Sequence, residues 1–420
     1  MEKLALHWKI LIGMAIGVIF GLIMSYIVGG SEFVGNYIKP FGTIFINLLK
    51  LIAIPLILAS LIKGVSDLKD ISKLSQMGGR TILTYISTTL IAVIIGLILV
   101  NSIQPGKSIS IETRRELVEA YASDADQKRE AAVKQSNVGP LQPLIEIVPS
   151  NIFSAASSNK NMLQIIFFAM FFGIGIILIP ERQSASVKDF FDSFNAIILK
   201  LIDLIMLSAP YGVFALLATL VAESPSLELF KALALYAITL LLALTIMIGF
   251  YALMVRIIIN KSPLFFFRGI APAQLLAFST SSSAATLPVT MECVEGNLGV
   301  DREVTSFVLP IGATINMDGT SVYQGVAAVF IAQAFGLDLS LSAQLGIIFT
   351  ATLASIGTAA VPSAGIVMLV IVLAQAGIPE AGLALIFAID RPLDMCRTVV
   401  NITGDAAVSM FVAKSIGKLK

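Results

Sequence analysis

The sequence predicts an all-α integral membrane protein with eight transmembrane helices and two re-entrant helical hairpins that form inverted repeats. Its composition is the first reason: 57% of the 420 residues are hydrophobic, 13% are charged, and the mean hydropathy is +0.91. Soluble globular chains are about 45–50% apolar and about 25% charged. The second reason is a series of apolar runs of membrane-spanning length, and the third is a set of later runs interrupted by Ser, Gly, Pro and charged residues.

The same composition excludes several other classes of protein. Lys and Arg total 28 against 27 for Asp and Glu, and this net charge of +1 supplies no basic field for a nucleic acid. The apolar content excludes an intrinsically disordered chain. Cys293 and Cys396 are too few for a disulfide framework, and with His7 as the single histidine they cannot assemble a soft metal site.

The first 260 residues contain the predicted simple spans. A helical crossing of the hydrocarbon core needs about 20 apolar residues. The runs of that kind are Ile10–Val28, Ile38–Ile62, Ile82–Val100, Met162–Leu178, Ile197–Val221 and Leu229–Ile259. The first run is too long for the apolar region of a signal peptide, so we expect it to be retained. Its Gly13, Gly17 and Gly21 predict close packing against another helix.

Basic residues in the loops orient the chain. They follow the second, fourth and sixth runs and the last span, and all fall on one side if the N-terminus is cytoplasmic. These positions are Lys63, Lys69, Lys73, Arg80, Arg182, Lys188, Arg256, Lys261, Arg268, Lys414, Lys418 and Lys420. Residues 106–138 mix charges of both signs and predict a solvated extracellular loop. We therefore expect both termini on the cytoplasmic face of the plasma (cell inner) membrane.

From residue 263 onward the apolar runs have polar centres. Residues 263–292 and 345–375 carry Ser, Thr, Gly and Pro near their middle, residues 304–335 are interrupted by Asn316-Met-Asp318, and residues 381–414 carry several charges. Irregular backbone at membrane depth survives only where protein buries it or where it lines a cavity. We predict one hairpin open to the cytoplasm and a second open to the outside, with a substrate at the repeat interface. The alternative is that the Ser and Thr clusters only hold helices together.

The last run carries a polar stripe. At 100° per residue, one group of side chains shares an arc of roughly 100°, with Arg391 at its edge. The group comprises Asp390, Asp394, Arg397, Thr398, Asn401 and Asp405. Each charge costs about 2.5–3.5 kcal/mol on insertion scales, so the stripe must face protein, water or ions rather than lipid.

Chemistry suggests roles for these residues. The planar donor fork of Arg397 suits a carboxylate, and Asp394 can pair with Arg397 or accept from an ammonium group. Hydroxyl and backbone groups around Ser283 and Ser355 offer donors for a second carboxylate. An isolated buried carboxylate must be neutralised by a proton or a metal ion. Hard oxygen ligands suit Na⁺-like ions, and the residues that offer them are Asn316, Asp318, Asn401 and Asp405. The predicted ligand is a zwitterion with an extra acid group, accompanied by cations.

Linked motifs carry a family resemblance over essentially the whole chain. They are Ser281-Ser-Ser283 followed by Thr286-Leu-Pro-Val-Thr290, Gly312-Ala-Thr-Ile-Asn-Met-Asp-Gly-Thr320, Ser355-Ile-Gly-Thr358, and Asp394 to Asp405, with Tyr85, Thr88 and Thr89 on the third span. With these motifs the chain resembles the dicarboxylate/amino acid:cation symporters, the family of archaeal aspartate transporters and animal excitatory amino acid transporters. A transporter of this family is not an enzyme.

The resemblance implies a homotrimer in membrane lipid with an elevator-type mechanism. Residues 1–75 (spans 1 and 2) and 139–225 (spans 4 and 5) would form a scaffold. Residues 76–105 (span 3) and 226–420 (span 6, both hairpins and spans 7 and 8) would form the moving transport domain. The outer hairpin around Ser355–Gly365 would act as its gate.

The resemblance also implies residue roles. Arg397 would bind the side-chain carboxylate of aspartate or glutamate, and Asp394 its amino group. Ser283, Thr398 and Asn401 would bind the α-carboxylate, and Thr320 and Gly365 would also contact the substrate. About three Na⁺ ions per substrate are implied. Their ligands would be Gly312, Asn316, Asn401 and Asp405; then Thr314, Met317, Ser355, Ile356 and Thr358; then Tyr85, Thr88, Thr89, Asn316 and Asp318.

Three positions refine this expectation. Arg397 favours an acidic substrate over a neutral one. Gln324 stands where the proton-coupled, potassium-exchanging animal members of the family carry a glutamate, so we expect Na⁺ coupling without that proton step. Relatives usually keep a second arginine where this chain has Ser281 or Met395, and Arg391 is a candidate to replace it.

Three alternatives stay open at this point. The first is a proton-coupled glutamate or C4-dicarboxylate symporter. The second is an intramembrane aspartyl protease with Asp318 in its dyad, which the nearby Arg397 and amide groups disfavour. The third is an ion channel. The sequence does not rank aspartate against glutamate, which differ by one methylene.

Overall fold

The computed structural model describes residues 6–67, 75–110, 148–157, 161–223, 227–358 and 364–420. These residues are almost entirely helical, as predicted. The helices are α1 (Leu6–Ser25), α2 (Gly30–Phe33), α3 (Lys39–Asp67), α4 (Ser75–Ile103), α5 (Ile152–Ala156), α6 (Met162–Leu178), α7 (Glu181–Leu207), α8 (Ala209–Glu223), α9 (Leu227–Met254), α10 (Pro263–Thr280), α11 (Ser283–Glu292), α12 (Arg302–Ile315), α13 (Asp318–Ala334), α14 (Leu341–Gly357), α15 (Ala364–Gln375) and α16 (Leu383–Ser415).

Within the described ranges, three helical stretches are long and apolar enough to cross a membrane. They are Gly30–Lys63, Met77–Ser108 and Glu228–Ile259, and the bent pair of α7 and α8 would make a fourth. Shorter apolar helices occupy Ile12–Ser25, Gln164–Leu178, Leu341–Ile356 and Ala364–Gln375. Of the predicted extracellular loop, residues 106–110 are described and residues 111–138 lie outside the described part of the chain.

The fifth predicted run, Ile197–Val221, is not a straight helix. The axes of α7 and α8 meet at 51° at Ser208. Pro210 has no N–H to donate to the carbonyl of Met206 and its ring crowds that turn, so a continuous helix through this point is disfavoured. The backbone N–H groups of Tyr211 and Gly212 bond to the Ser208 carbonyl instead, at 3.1 and 3.0 Å, and so restart the helix.

Close packing of the first span on α8 is confirmed. A Cβ built on Gly13, Gly17 or Gly21 would lie 2.4–2.7 Å from the backbone oxygen of Pro210, Phe214 or Ala218. Side chains at these positions would therefore push the two helices apart.

Gly17→Ala is expected to lower the free energy of unfolding by about 1–3 kcal/mol through overpacking. Gly175→Ala on α6 is the matched control, because nothing lies within 4 Å of a Cβ there and alanine favours a helix. Thermal unfolding of the two variants in detergent measures the difference. Equal melting temperatures would contradict the packing of α1 on α8.

The interrupted runs form pairs of short helices. α10 and α11 are joined at Ser281, whose φ of 51° lies in the left-handed region, and the Ser282 hydroxyl caps α11 by accepting from the Ala285 N–H at 3.2 Å. α12 and α13 are separated by Asn316 and Met317. A ten-residue helix such as α11 is about 15 Å long, half of the hydrocarbon thickness. Residues 359–363, in the predicted gate between α14 and α15, lie outside the described residues.

The core lies around α13, of which every residue is buried. It packs against α4, α9 and α16. A Cβ on Gly96 of α4 would lie 3.0 Å from the Val322 carbonyl oxygen, and one on Gly319 of α13 would lie 2.4 Å from the carbonyl oxygen of Arg397 on α16. Glycines at these crossings bring the backbone of α13 close to both partners.

Residues 414–420 form a junction between the ends of other segments, which we call the C-terminal junction. The Lys414 ammonium donates to the carbonyls of Ile258 and Ile259, which follow α9, and Leu419 forms an isolated antiparallel bridge with Val300. Arg80 of α4 donates to the Ser415 carbonyl. Lys418 pairs with Glu303, and this hydrogen bond raises the pKa of the lysine.

Candidate functional site

Arg397 is the centre of a buried salt-bridge ladder on α16. Its Nη1 donates to Asp390 Oδ1 and its Nη2 to Asp394 Oδ1, both at 2.8 Å. Arg391 continues the ladder, since its Nη1 donates to Asp394 Oδ2 at 3.1 Å. The side chain of Arg397 is fully buried, so the carboxylates offset a charge that water cannot reach. The structure therefore pairs two arginines with two aspartates.

An aromatic ring supports the guanidinium group. The Arg397 Cζ lies 3.7 Å from the centroid of the Tyr323 ring on α13, a cation–π contact inside the protein. The Nε of Arg397 has no hydrogen-bond partner among the described residues. The Tyr323 ring and the two aspartates fix the direction in which the fork of Arg397 points.

The break between α12 and α13 is held by two side chains. Asn316 and Met317 leave the helical region, and the freed backbone needs partners in a buried place. The Met317 N–H donates to Ser355 Oγ of α14 at 3.0 Å, and Ser355 Oγ donates to the Ile315 carbonyl at 3.2 Å. The Gly319 N–H donates to Asn401 Oδ1 of α16 at 2.8 Å. Predicted ion and substrate residues thus also stabilise the broken span.

Two carboxylates lie beside this break. Asp405 Oδ1 accepts from Asn316 Nδ2 at 2.9 Å, and Thr88 Oγ1 is 3.3 Å from Asn316 Oδ1. Asp318 accepts from Thr89 Oγ1 at 2.6 Å and from the Tyr251 hydroxyl. Carboxylate, amide and hydroxyl oxygens from α4, α9, α13, α16 and the break after α12 therefore converge on one buried region, which we call the oxygen cluster.

Gly312 and Tyr85 belong to the same region. A Cβ on Gly312 would lie 2.4 Å from Tyr85 Oη and 2.5 Å from Asp405 Oδ1. The Tyr85 hydroxyl donates to the Val308 carbonyl at 3.0 Å. Only glycine lets the α12 backbone approach both groups.

The predicted substrate residues are brought together in part. Asn401 Nδ2 lies 3.4 Å from Thr320 Oγ1, and a Cβ on Gly365 would lie 3.0 Å from Thr320 Cγ2 and 3.8 Å from Arg397 Nη2. Thr398 is buried and donates to the Asp394 carbonyl at 2.9 Å. Ser283 is buried in the first turn of α11, and within the described residues no hydrogen bond joins it to this group.

The second predicted ion set is less compact. Met317 and Ser355 are in contact, as described above, while Thr358 is buried and donates to the Ala354 carbonyl at 2.7 Å. Ile356 is half-buried. The Thr314 side chain is exposed and donates to the Ile311 carbonyl of its own helix. In this arrangement the Thr314 side chain is not a member of the oxygen cluster.

Two tyrosines of the site were missed by the sequence reasoning. Tyr251 lies within an apolar run and contacts Asp318, and Tyr323 follows the NMDGT motif and stacks on Arg397. A buried tyrosine usually bonds its hydroxyl to a polar partner, so a tyrosine in an apolar run was the available signal. Periodicity alone does not say which carboxylate it reaches.

The comparison with known proteins decides the family. Residues 6–415 match the model of the sodium:dicarboxylate symporter family. The chain belongs to this family.

Curated relatives match the symporter over nearly its whole length. It is 34% identical to the proton/sodium-glutamate symport protein of Geobacillus stearothermophilus over 100% of this chain and 96% of the relative. It is 38% identical to excitatory amino acid transporter 3 of Mus musculus, over 97% and 85% of the two chains. It is 34% identical to the proton/glutamate-aspartate symporter of Escherichia coli K12, over 98% and 93%. The resemblance read from the motifs is confirmed, and these relatives are transporters rather than enzymes.

The names of these relatives differ in the coupling ion. The Geobacillus protein is named for proton and sodium together, and the Escherichia coli protein for proton alone. Within the described residues of the symporter, no cluster of three or more His, Cys, Asp or Glu side chains forms a metal site. The oxygen cluster instead mixes carboxylates with amide and hydroxyl groups.

Gln324 of the symporter is fully buried on α13. Neither its side-chain oxygen nor its nitrogen has a hydrogen-bond partner among the described residues. An amide in this position cannot gain or lose a proton near neutral pH. The expectation that it carries no coupled proton rests on this chemistry.

Proposed function

We propose that the symporter couples transport of an acidic amino acid, L-aspartate or L-glutamate, to the inward flow of Na⁺. Arg397 binds the side-chain carboxylate, Asp394 the amino group, and Ser283, Thr398 and Asn401 the α-carboxylate, with Thr320 and Gly365 in contact with the substrate. The observation that carries the proposal is the buried fork of Arg397 between two carboxylates. A substrate carboxylate can replace one of these partners with the same geometry.

Charge balance supports three coupled cations. The ladder and the oxygen cluster contain Asp318, Asp390, Asp394 and Asp405 against Arg391 and Arg397, a formal charge of −2. An acidic amino acid brings a further −1. Three monovalent cations make the loaded site neutral, and a buried charge that is not neutralised is costly.

The ligand chemistry favours sodium over protons. The oxygen cluster offers hard carboxylate, amide, hydroxyl and backbone oxygens, the donors that hard cations prefer. Gln324, which cannot titrate, stands where the resemblance implies a glutamate in the proton-coupled, potassium-exchanging animal members. We propose the three Na⁺ ligand sets that the family resemblance implies, with Thr314 acting through its backbone oxygen because its side chain is exposed.

The proposed architecture is a homotrimer in the cell membrane with eight spans and cytoplasmic termini. Residues 76–105 and 226–420 form a transport domain that moves as an elevator against a scaffold of residues 1–75 and 139–225. The packing of α13 with α4, α9 and α16 supports the first unit, and that of α8 with α1 and α3 supports the second. The hairpin of α14 and α15 acts as the outer gate.

Uptake into proteoliposomes tests the proposal. We expect an inward Na⁺ gradient to drive accumulation of labelled aspartate or glutamate, tested in both L- and D-forms, without a pH gradient. Accumulation driven by a proton gradient in the absence of Na⁺ would instead indicate the proton-coupled glutamate or C4-dicarboxylate symporter. Ion currents without accumulation would indicate a channel.

A further inference from the structure

Arg391 and Arg397 hold the two oxygens of a single carboxylate. Arg391 Nη1 lies 3.1 Å from Asp394 Oδ2, and Arg397 Nη2 lies 2.8 Å from Asp394 Oδ1. The side chains of Arg391 and Asp394 are 13% and 9% exposed, so both lie mostly away from solvent. Charge-assisted hydrogen bonds in such a place are short and directional. Asp394 is therefore anchored from two sides.

The two anchors differ in what happens when substrate binds. Under the proposed function, the substrate side-chain carboxylate takes Arg397 Nη2, and Asp394 Oδ1 is released to meet the substrate ammonium group. The last torsion of an aspartate side chain is broad, so a released carboxylate can rotate. Arg391 is not displaced by the substrate in this scheme and continues to hold Oδ2. It can keep Oδ1 aimed at the ammonium group.

We propose that Arg391 is a positioning residue that sets selectivity for acidic amino acids over dicarboxylates without an amino group. It acts through Asp394, whose carboxylate it keeps aligned during binding. This inference rests on the proposed function and adds a residue to it. It also accounts for the spacing of the ladder, in which Arg391, Asp394 and Arg397 are each three residues apart and so lie along one side of α16.

Two compounds separate alignment from simple charge. Succinate is aspartate without its amino group, and it carries two negative charges where aspartate carries a net one. If only the positive charge of Arg391 mattered, its loss would weaken binding of succinate at least as much as binding of aspartate, because the electrostatic attraction grows with ligand charge. Loss of alignment at Asp394 weakens binding of aspartate alone, because succinate has no ammonium group for Asp394 to contact.

The experiment compares Arg391→Met and Arg391→Lys with the unmodified protein in Na⁺-driven proteoliposome uptake. We expect Arg391→Met to raise the KM for L-aspartate about tenfold, the loss of one hydrogen bond to a charged group, with little change in maximal rate. The inhibition constant of succinate should stay within about twofold. Arg391→Lys should recover part, but not all, of the affinity for aspartate, because its ammonium group still donates to Oδ2 but lacks the planar fork of arginine.

Arg182→Met is the matched control, because Arg182 is exposed on α7 and its change should leave both constants unaltered. Two results in Arg391→Met would overturn the inference while leaving the proposed function intact. One is an unchanged KM for aspartate, and the other is a loss of affinity for succinate as large as that for aspartate. If Arg391→Met does not reconstitute, Arg391→Lys decides. A moderately raised KM for aspartate with an unaltered inhibition constant for succinate supports the role of Arg391. An unaltered KM together with an unaltered inhibition constant overturns it. Absence of Na⁺-driven aspartate uptake by the unmodified protein would overturn the proposed function and this inference together.

Discussion

Arg397→Ala is expected to weaken binding of acidic amino acids by about a hundredfold or more. Under the proposed function the substrate carboxylate accepts from Nη2 and from Nε, which has no other partner among the described residues. The variant loses these two hydrogen bonds to a charged group, each worth about 1.5–3 kcal/mol, and tenfold in affinity corresponds to about 1.4 kcal/mol. The same change leaves Asp390 and Asp394 buried without the cation that holds both of them. Equilibrium binding of labelled aspartate to detergent-solubilised protein measures the effect.

Because removing one partner of a buried pair costs about 3–5 kcal/mol, the alanine variant must first be shown to be folded. Arg397→Lys provides a second variant that keeps the charge and loses the planar fork, and we expect it to fold and to bind aspartate weakly. Arg182→Ala is the control for the loss of an exposed arginine. Unaltered aspartate affinity in a folded Arg397→Ala protein would contradict the role of Arg397.

Asp405→Asn is expected to raise the Na⁺ concentration for half-maximal aspartate uptake at least about tenfold. The substitution keeps the shape of the side chain and an oxygen that can accept from Asn316 Nδ2, while it removes the negative charge. Two opposite unit charges 4 Å apart attract by about 4 kcal/mol at an effective dielectric constant of 20. Losing the attraction between the carboxylate and Na⁺ therefore costs more than the ~1.4 kcal/mol that corresponds to a tenfold change in affinity. Uptake measured over a range of Na⁺ concentrations gives the shift.

Ser409→Ala is the matched control for Asp405→Asn. Ser409 lies one turn later on α16, is fully buried, and its hydroxyl has no hydrogen-bond partner among the described residues. We expect this variant to keep the Na⁺ dependence of the unmodified protein. If Asp405→Asn keeps it as well while uptake continues, Asp405 is not a cation ligand.

The charged face of α16 could be predicted from the sequence because it depends on helical periodicity alone. One hundred degrees per residue places Asp390, Asp394 and Arg397 together, and the structure pairs them. The interruption at Asn316-Met-Asp318 could be predicted for a similar reason, since polar residues and glycine at membrane depth require a broken helix. Both features are local in the chain.

Contacts between distant segments could not be predicted in this way. Tyr251 reaches Asp318 across 67 residues, and the crossing of α9 over α13 that allows it depends on packing rather than on a repeat. Thr314 is a second example. It lies within the motif, but its side chain is exposed, because membership of a motif does not say which way a side chain points. The bend at Ser208 is different, because Pro210 nearby in the sequence indicates it. The run was nevertheless predicted as one span because it is continuously apolar.

The C-terminal junction has a consequence for the order of assembly during synthesis. Arg80 and its acceptor, the carbonyl of Ser415, are 335 residues apart. At the usual rate of about 5–20 residues per second, a ribosome needs roughly 20–70 s to make that stretch. Lys414 likewise emerges long after its acceptors at Ile258 and Ile259. The helix ends that meet at this junction must therefore stay separate, or be held by other contacts, until translation has passed residue 415.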